Sequence, residues 1–255
     1  MVEKAPLLDA EKKWLQHFER KLHEINGKRP LTSSFLDPRQ LELAEAKLNE
    51  AKSFSYTVYG GYPDAERNLL FIYPAQQKAR LPELDVVQVS WDNQYNRISH
   101  RDLLGAVLSL GLKRDQVGDI VLTEEGQAYL FLVSGKGKYI CTNMSEVNKS
   151  KVSCEPIEIG QLPLPRDDSR EIRGTVASLR LDAIVSMGFK LPRSRVVLLV
   201  KAGLARVNWR PVNSPSLQLN EGDQISLRGR GRLVVDTIEG ETRKGRIHLK
   251  LKRYL

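Results

Sequence analysis

The alternation of apolar and polar positions divides the chain into short helices and strands. Residues 9–25 (DAEKKWLQHFERKLHEI) carry Trp14, Leu15, Phe18, Leu22 and Ile25 at helical spacing, which predicts an amphipathic helix with Asp9 as its N-cap. Residues 37–52 predict a second helix, with Asp37 as N-cap, Pro38 at the first helical position and Leu41, Leu43, Ala44 and Leu48 as its apolar stripe. Phe54 to Tyr59 alternates as a strand, Gly60-Gly61 turns the chain, and Leu69 to Tyr73 is a second strand. Residues 1–80 therefore read as a small module of helices and a hairpin.

The next stretch, 84–160, has a clearer order. Val86 to Trp91 predicts a strand, and Ser99 caps a helix over 100–110 with Leu103, Leu104, Val107, Leu108 and Leu110 on its apolar side, ended by Gly111. Two strands, Asp119 to Leu122 and Ala128 to Val133, flank a turn at Glu125-Gly126; a helix over 136–146 and a strand from Lys151 to Ile159 complete the series. The order β-α-β-β-α-β is the split βαβ, or ferredoxin-like, unit. Several RNA-binding domains use it, as do many domains that touch no RNA. Tyr129 and Phe131 could face a base or sit in the core, so RNA contact and a docking or spacing role both stay open here.

Residues 160–170 (GQLPLPRDDSR) read as a linker. A third domain over 170–255 follows, with a strand at Arg173 to Val176, a helix over Leu179 to Gly188 capped by Ser178, and a second helix over 193–202 behind Pro192. The second helix turns Val196, Val197, Leu199 and Val200 inward, which leaves Arg193, Arg195 and Lys201 pointing out. Ala205 to Asn208 predicts a strand before a polar loop through Pro215; Glu221-Gly222-Asp223 is a turn; Gln224 to Leu227, Leu233 to Ile238 and Arg246 to Leu251 are further strands. The fold class expected is α+β in three small domains.

Charge changes the picture at this point. Residues 170–255 hold 18 Lys+Arg against 7 Asp+Glu, a net of +11, whereas residues 1–169 carry −2 of the chain's +9. Such a field concentrates polyanions and gains from counterion release on phosphates. A solvated face needs less, roughly 2–8 charges for a small domain. Arginine outnumbers lysine 13 to 5 in this third, as forked contact to phosphate oxygens favours.

Other chemistries find little support. Cys141 and Cys154 lack nearby histidines, so they read as reduced, partly buried thiols and not as a zinc site or a secreted disulfide scaffold. His17, His23, His100 and His248 are scattered, and no nucleophilic set can be assembled from them. Gly135-Lys136-Gly137 lacks the rest of a phosphate-loop pattern. No catalytic residue, metal or cofactor is expected. No apolar run reaches the roughly 18–20 residues of a membrane helix, and Met1 to Ala10 has no signal or transit pattern, so a cytoplasmic location without membrane insertion is expected.

The motifs of the third domain, R-L-D at 180–182, P-R-S-R at 192–195, V-N-W at 207–209 and E-G-D-Q-I-S-L-R-G at 221–229, resemble the S-four RNA-binding domain. R-G-R-G-R at 228–232 with T-R-K-G-R-I at 242–247, and G-G-Y-P-D-A-E-R at 60–67, resemble the YlmH family. F-L-D-P-R-Q at 35–40 is similar to a branch labelled photosystem II S-four proteins. The resemblance implies a basic face laid on the backbone and minor groove of structured RNA. Carried over by position, that face holds Arg180, Lys190, Arg193, Ser194, Arg195 and Lys201, with Arg206, Asn208 and Arg210 beside it. Arg228, Arg230 and Arg232 add charge around Gly229 and Gly231, where the other reading is a turn with solvated arginines. The partners implied are ribosomal RNA, the large ribosomal subunit and tRNA, in rescue of stalled translation. An assembly or regulatory factor for photosystem II is the alternative. A pseudouridine synthase is disfavoured, because R-L-D sits inside the S-four module and Asp182 reads as a helix N-terminal residue.

Overall fold

Helix α1 (Asp9–Ile25) and helix α2 (Pro38–Glu50) open the chain and pack on a three-stranded antiparallel sheet of β1 (Leu31–Thr32), β3 (Leu69–Pro74) and β2 (Phe54–Tyr59), in that order. The computed structural model describes residues 7–25, 30–51, 54–63, 65–92, 97–123, 126–162, 169–243 and 245–254. The side chain of Ile25, residues 163–168 of the expected linker, Glu125 of the expected turn, and Asp64 and Lys244 of two motifs lie outside the described residues, as do residues 1–6. α2 starts where sequence places it: Asp37 accepts from the Gln40 amide at 2.8 Å while the Gln40 side chain accepts from the Asp37 amide at 3.1 Å, a reciprocal cap that satisfies two orphan donors. Phe18, Leu22, Leu36, Ala44, Leu48, Leu70 and Ile72 form the core between helices and sheet.

The central domain comprises β4 (Leu84–Trp91), α3 (His100–Ser109), β5 (Val117–Leu122), β6 (Gln127–Val133), α4 (Gly137–Asn143), β7 (Glu146–Val147) and β8 (Ser150–Ile157). Its sheet runs β5-β6-β4-β8-β7 with every ladder antiparallel, the strand order of a ferredoxin-like fold with a short hairpin strand added. α3 and α4 cover one face, over Val87, Val89, Ala128, Leu130 and Leu132. The helix over 136–146 is shorter than expected, because the chain leaves it at Met144 to form the β7–β8 hairpin.

The opposite face of that sheet is also buried. Phe35 and Leu69 of the opening module pack on Val86, Tyr129 and Phe131, and Phe131 is 1% exposed. This two-sided burial explains why β6 reads as a continuous apolar run and not as an alternating one. A Cβ on Gly118 would stand 2.6 Å from the Phe35 ring, so glycine is required at that approach. Beside it, half-buried Asp119 accepts from the Tyr62 hydroxyl at 2.7 Å and from the amides of Glu66 and Arg67 at 2.7 and 3.1 Å. Arg67 donates onward to the carbonyls of Val117 and Phe35. The G-G-Y-P-D-A-E-R segment thus latches the module to the central sheet, and by contact the two form one unit, Met1–Pro165.

The second unit, Arg166–Leu255, holds β9 (Arg170–Val176), α5 (Leu181–Phe189), α6 (Arg193–Lys201), β10 (Ala205–Val207), β11 (Arg210–Val212), β12 (Gln224–Leu227), β13 (Gly231–Glu241) and β14 (Ile247–Tyr254). Its antiparallel sheet runs β11-β10-β12-β13-β14-β9, with α5 and α6 on one face over Ile225, Leu227, Leu233, Val235, Leu249 and Leu251. A Cβ on Gly188 would lie 2.4 Å from a Leu233 methyl, so this residue lets α5 sit close on the sheet. Two expectations are corrected here. Arg180, and not Ser178, is the N-cap of α5, because the amides of Leu181 and Asp182 are already taken by the carbonyls of Leu217 and Pro215. The polar loop expected after Asn208 contains β11, which pairs with β10 through a two-residue turn. The chain is therefore α+β.

Candidate nucleic-acid interface

Two helix starts meet around one carboxylate. Asp182, in the first turn of α5, has a side chain only 5% exposed. It accepts from Arg180 Nε and Nη2, each at 3.2 Å, and from Arg193 Nη2 at 2.9 Å. Burial alone would raise its pKa, but the two guanidiniums outweigh that and hold the carboxyl below its ordinary value. Arg180 and Arg193 keep 36% and 50% of their side-chain surface exposed, so each is anchored at one end of its fork and open at the other. In R-L-D, Asp182 is thus a clamp for two arginines.

Lys190 follows directly, exposed, in the left-handed conformation (φ 53°) that ends α5, where the Leu191 amide bonds back to the Ser186 carbonyl. Arg193, Ser194 and Arg195 form the exposed first turn of α6, and Lys201 is exposed at its far end. Val196 and Val200 are the buried side of this helix; Leu198 is 60% exposed. Arg228 and Arg230 stand exposed on the β12–β13 turn, which is bonded through the Arg228 amide to the Leu204 carbonyl just beyond α6.

The remaining expected residues lie elsewhere. Arg206 is exposed between buried Ala205 and Val207, so it points to the sheet face opposite the helices. Arg232 shares that face, with its guanidinium 4.5 Å over the Tyr254 ring. Asn208 is committed to structure: its amide nitrogen donates to Asp223 at 2.8 Å and its oxygen accepts from the Gln224 amide at 2.9 Å. Arg210 opens β11 at the sheet edge, half-buried.

Pairing divides the positive charge unevenly. On β9, β13 and β14, Glu171 binds Arg173, Glu239 binds Lys250 and Asp236 binds Lys252, while Arg253 stacks on Phe189 and Arg246 bonds to Thr175. Around the helices, the side chains of Lys190, Arg195, Lys201, Arg228 and Arg230 make no ion pair among the described residues. The uncompensated field therefore belongs chiefly to the helix edge, which suits the open contact of a polyanion. Sequence reasoning missed the division because two of the three matching carboxylates, Glu239 and Asp236, are brought in by strand pairing.

Elsewhere, the sheet face on which an RNA-recognition fold stacks bases is occupied in the central domain, since Tyr129 and Phe131 are both buried by the opening module. The two cysteines are free, and burial pushes the Cys154 thiol up to about 11. Among the described residues, no cluster of three or more metal-binding side chains occurs, and no helix is long and apolar enough to cross a membrane.

Two family profiles match the chain. Residues 82–161 match the one described as "Putative RNA-binding domain in YlmH", and residues 179–225 match the S4 domain. The ribosome-associated protein quality control protein P2 of Bacillus subtilis is 34% identical over 223 residues, which span 87% of this chain and 86% of that protein. The small ribosomal subunit protein uS4 of an Anaeromyxobacter species is 41% identical over 71 residues, 26% of this chain and 34% of that one. The solved structure of the cell division protein ylmH from Streptococcus pneumoniae shares the fold, with a TM-score of 0.52 at 18% identity, over 62% of this chain and 98% of that one. These likenesses lend the photosystem II reading no support.

Proposed function

The chain belongs to the YlmH family of S4-domain RNA-binding proteins, and from that premise we propose that it acts on the ribosome in the rescue of stalled translation. The helix edge of its second unit docks on structured ribosomal RNA of the large subunit, near tRNA. The observation that carries this reading is the cationic edge of α5 and α6, where Asp182 fixes Arg180 and Arg193 and where Lys190, Arg195 and Lys201 make no ion pair among the described residues. A forked guanidinium held at one end and exposed at the other is prepaid in side-chain order and can bridge phosphate oxygens on contact. The name of the Bacillus subtilis relative supports the ribosomal setting.

In this reading the central domain is a scaffold. Its sheet is filled by Phe35 and Leu69, so base stacking there would require stripping the opening module from a shared core. Sedimentation of cell extracts through a sucrose gradient tests the setting: the protein should travel with large subunits, and a protein that stays at the top of the gradient rejects it. The interface is tested by Arg193→Ala with Arg195→Ala. The double variant should weaken binding to ribosomal RNA and lower the slope of log K against log salt by about 1.5–2. An unchanged slope removes this edge from the interface.

A further inference from the structure

The turn between β10 and β11 is built against ordinary residue preference. Val207 pairs with Arg210 across a two-residue loop, and both loop residues adopt left-handed backbone: Asn208 at φ 47° and Trp209 at φ 63°. This type of hairpin turn favours asparagine and then glycine. Asparagine tolerates the first position, but a bulky side chain in left-handed backbone is strained. Among the described residues, Trp209 is the one aromatic side chain with positive φ.

The indole is half-buried but lies outside the core. The apolar core of the second unit, together with the side chains packed against it, does not include Trp209. The turn is nevertheless held firmly: Asn208 bonds through its side chain to Asp223 and to the Gln224 amide, its own amide donates to the Gln224 carbonyl at 2.8 Å, and Asp223 in turn accepts from the Asn220 amide at 2.7 Å. The loop therefore holds a large, half-buried ring at a fixed place on the sheet edge, with part of its surface open. Exposed Arg206 lies three residues back on the same hairpin, in a unit whose net charge is strongly positive.

We propose that Trp209 is a stacking platform for an unpaired nucleobase, so that the second unit recognises structured RNA carrying a single-stranded loop or bulge in preference to uniform duplex. The inference rests on the RNA-binding reading above. Phosphates of the paired stem meet the helix edge, and an unstacked base lies on the indole. A base offers an aromatic face whatever its identity, so this contact selects for an unpaired nucleotide and not for a sequence.

Trp209→Gly tests this with two readouts. Glycine relieves the left-handed strain but gives up the contacts of a half-buried indole, so the melting temperature should stay within roughly 4 °C of native. Affinity for a short hairpin RNA with an unpaired loop should fall about tenfold, while affinity for the same stem as blunt duplex stays unchanged. Trp209→Phe should keep most of the preference for the loop. The salt slope should be unaltered, because no charge is removed. A Trp209→Gly protein that binds both RNAs as the native chain does overturns the inference and makes the indole a packing residue. The helix-edge double variant, run in parallel, separates the two readings: if it weakens binding to both RNAs while Trp209→Gly changes neither, the stacking platform alone is wrong.

Discussion

Replacing Asp182 with asparagine sets charge against organisation. The variant adds one unit of net positive charge to a domain already at +11, so a view based on charge alone expects tighter RNA binding. The geometry argues otherwise. The carboxylate receives three hydrogen bonds from two guanidiniums at 2.9–3.2 Å in a site only 5% exposed. Charge-assisted bonds contribute about 1.5–3 kcal/mol each. Because Arg180 and Arg193 are 36% and 50% exposed, solvent screening reduces that sum to about 2 kcal/mol for the clamp. In a unit of this size the loss corresponds to a melting temperature lower by about 10 °C. For binding, two unclamped arginines must be ordered on contact at about 0.5–1.5 kcal/mol each. The gain from one added charge some 8 Å from a phosphate is only about 0.5 kcal/mol in water. The balance favours three- to tenfold weaker binding. Thermal melting together with fluorescence anisotropy on a labelled ribosomal RNA fragment reads both effects. Binding as tight as native, or tighter, would refute the clamp. The pH dependence has a definite sign: the folded-state pKa of Asp182 is depressed, so its contribution to stability is complete above about pH 4, the unfolded value, and is lost as pH falls through the lowered folded value. The asparagine variant should lack that acid-dependent component.

Two further outcomes concern the first unit. Asp119→Ala leaves the Tyr62 hydroxyl and the amides of Glu66 and Arg67 without this shared acceptor, so it should cost about 3 kcal/mol and make the opening module the first part cleaved in limited proteolysis; native-like resistance would show the latch to be dispensable. Phe131→Ala should destabilise the unit by about 4 kcal/mol, measured by urea unfolding, yet leave the RNA affinity of the folded protein within twofold; a larger loss of affinity would reopen the central sheet as an RNA platform.

Much of the architecture was legible because local signals agreed with the tertiary outcome. The Asp37-Pro38 start, the Ser99 cap and the β-α-β-β-α-β order are all written in short-range chemistry. The errors occur where long-range contacts decide. Ser178 has a capping side chain, but the loop at 215–217 reaches the α5 amides first. β1, β7 and β11 are two or three residues long and exist through their partners, with too few positions to show a period. Phe131 was ambiguous for the same reason: an apolar side chain facing away from the helices looks like a ligand platform until the element covering it is placed. At the interface, residue type and resemblance named the candidate cations, but the contacts of Asn208 with Asp223 and of Arg232 with Tyr254 join residues distant in sequence and were not legible.

That division of labour makes the net charge a poor guide to the strength of binding, and the difference is measurable. If all eleven excess charges met phosphates, the slope of log K against log salt would lie near −8 to −10. The structure argues for fewer contacts. Arg173, Lys250 and Lys252 already sit on carboxylates, and Arg232 and Arg253 lie over aromatic rings. The cations on the helix edge that remain open to a ligand are Arg180, Lys190, Arg193, Arg195, Lys201, Arg228 and Arg230. Seven contacts at about 0.7–0.9 each give a slope between roughly −5 and −6. A titration of a ribosomal RNA fragment between about 50 and 200 mM salt should then lose roughly 1000- to 6000-fold in affinity. A slope as steep as −8 would mean that cations on the strands also take phosphates, and that the helix edge is only part of the interface.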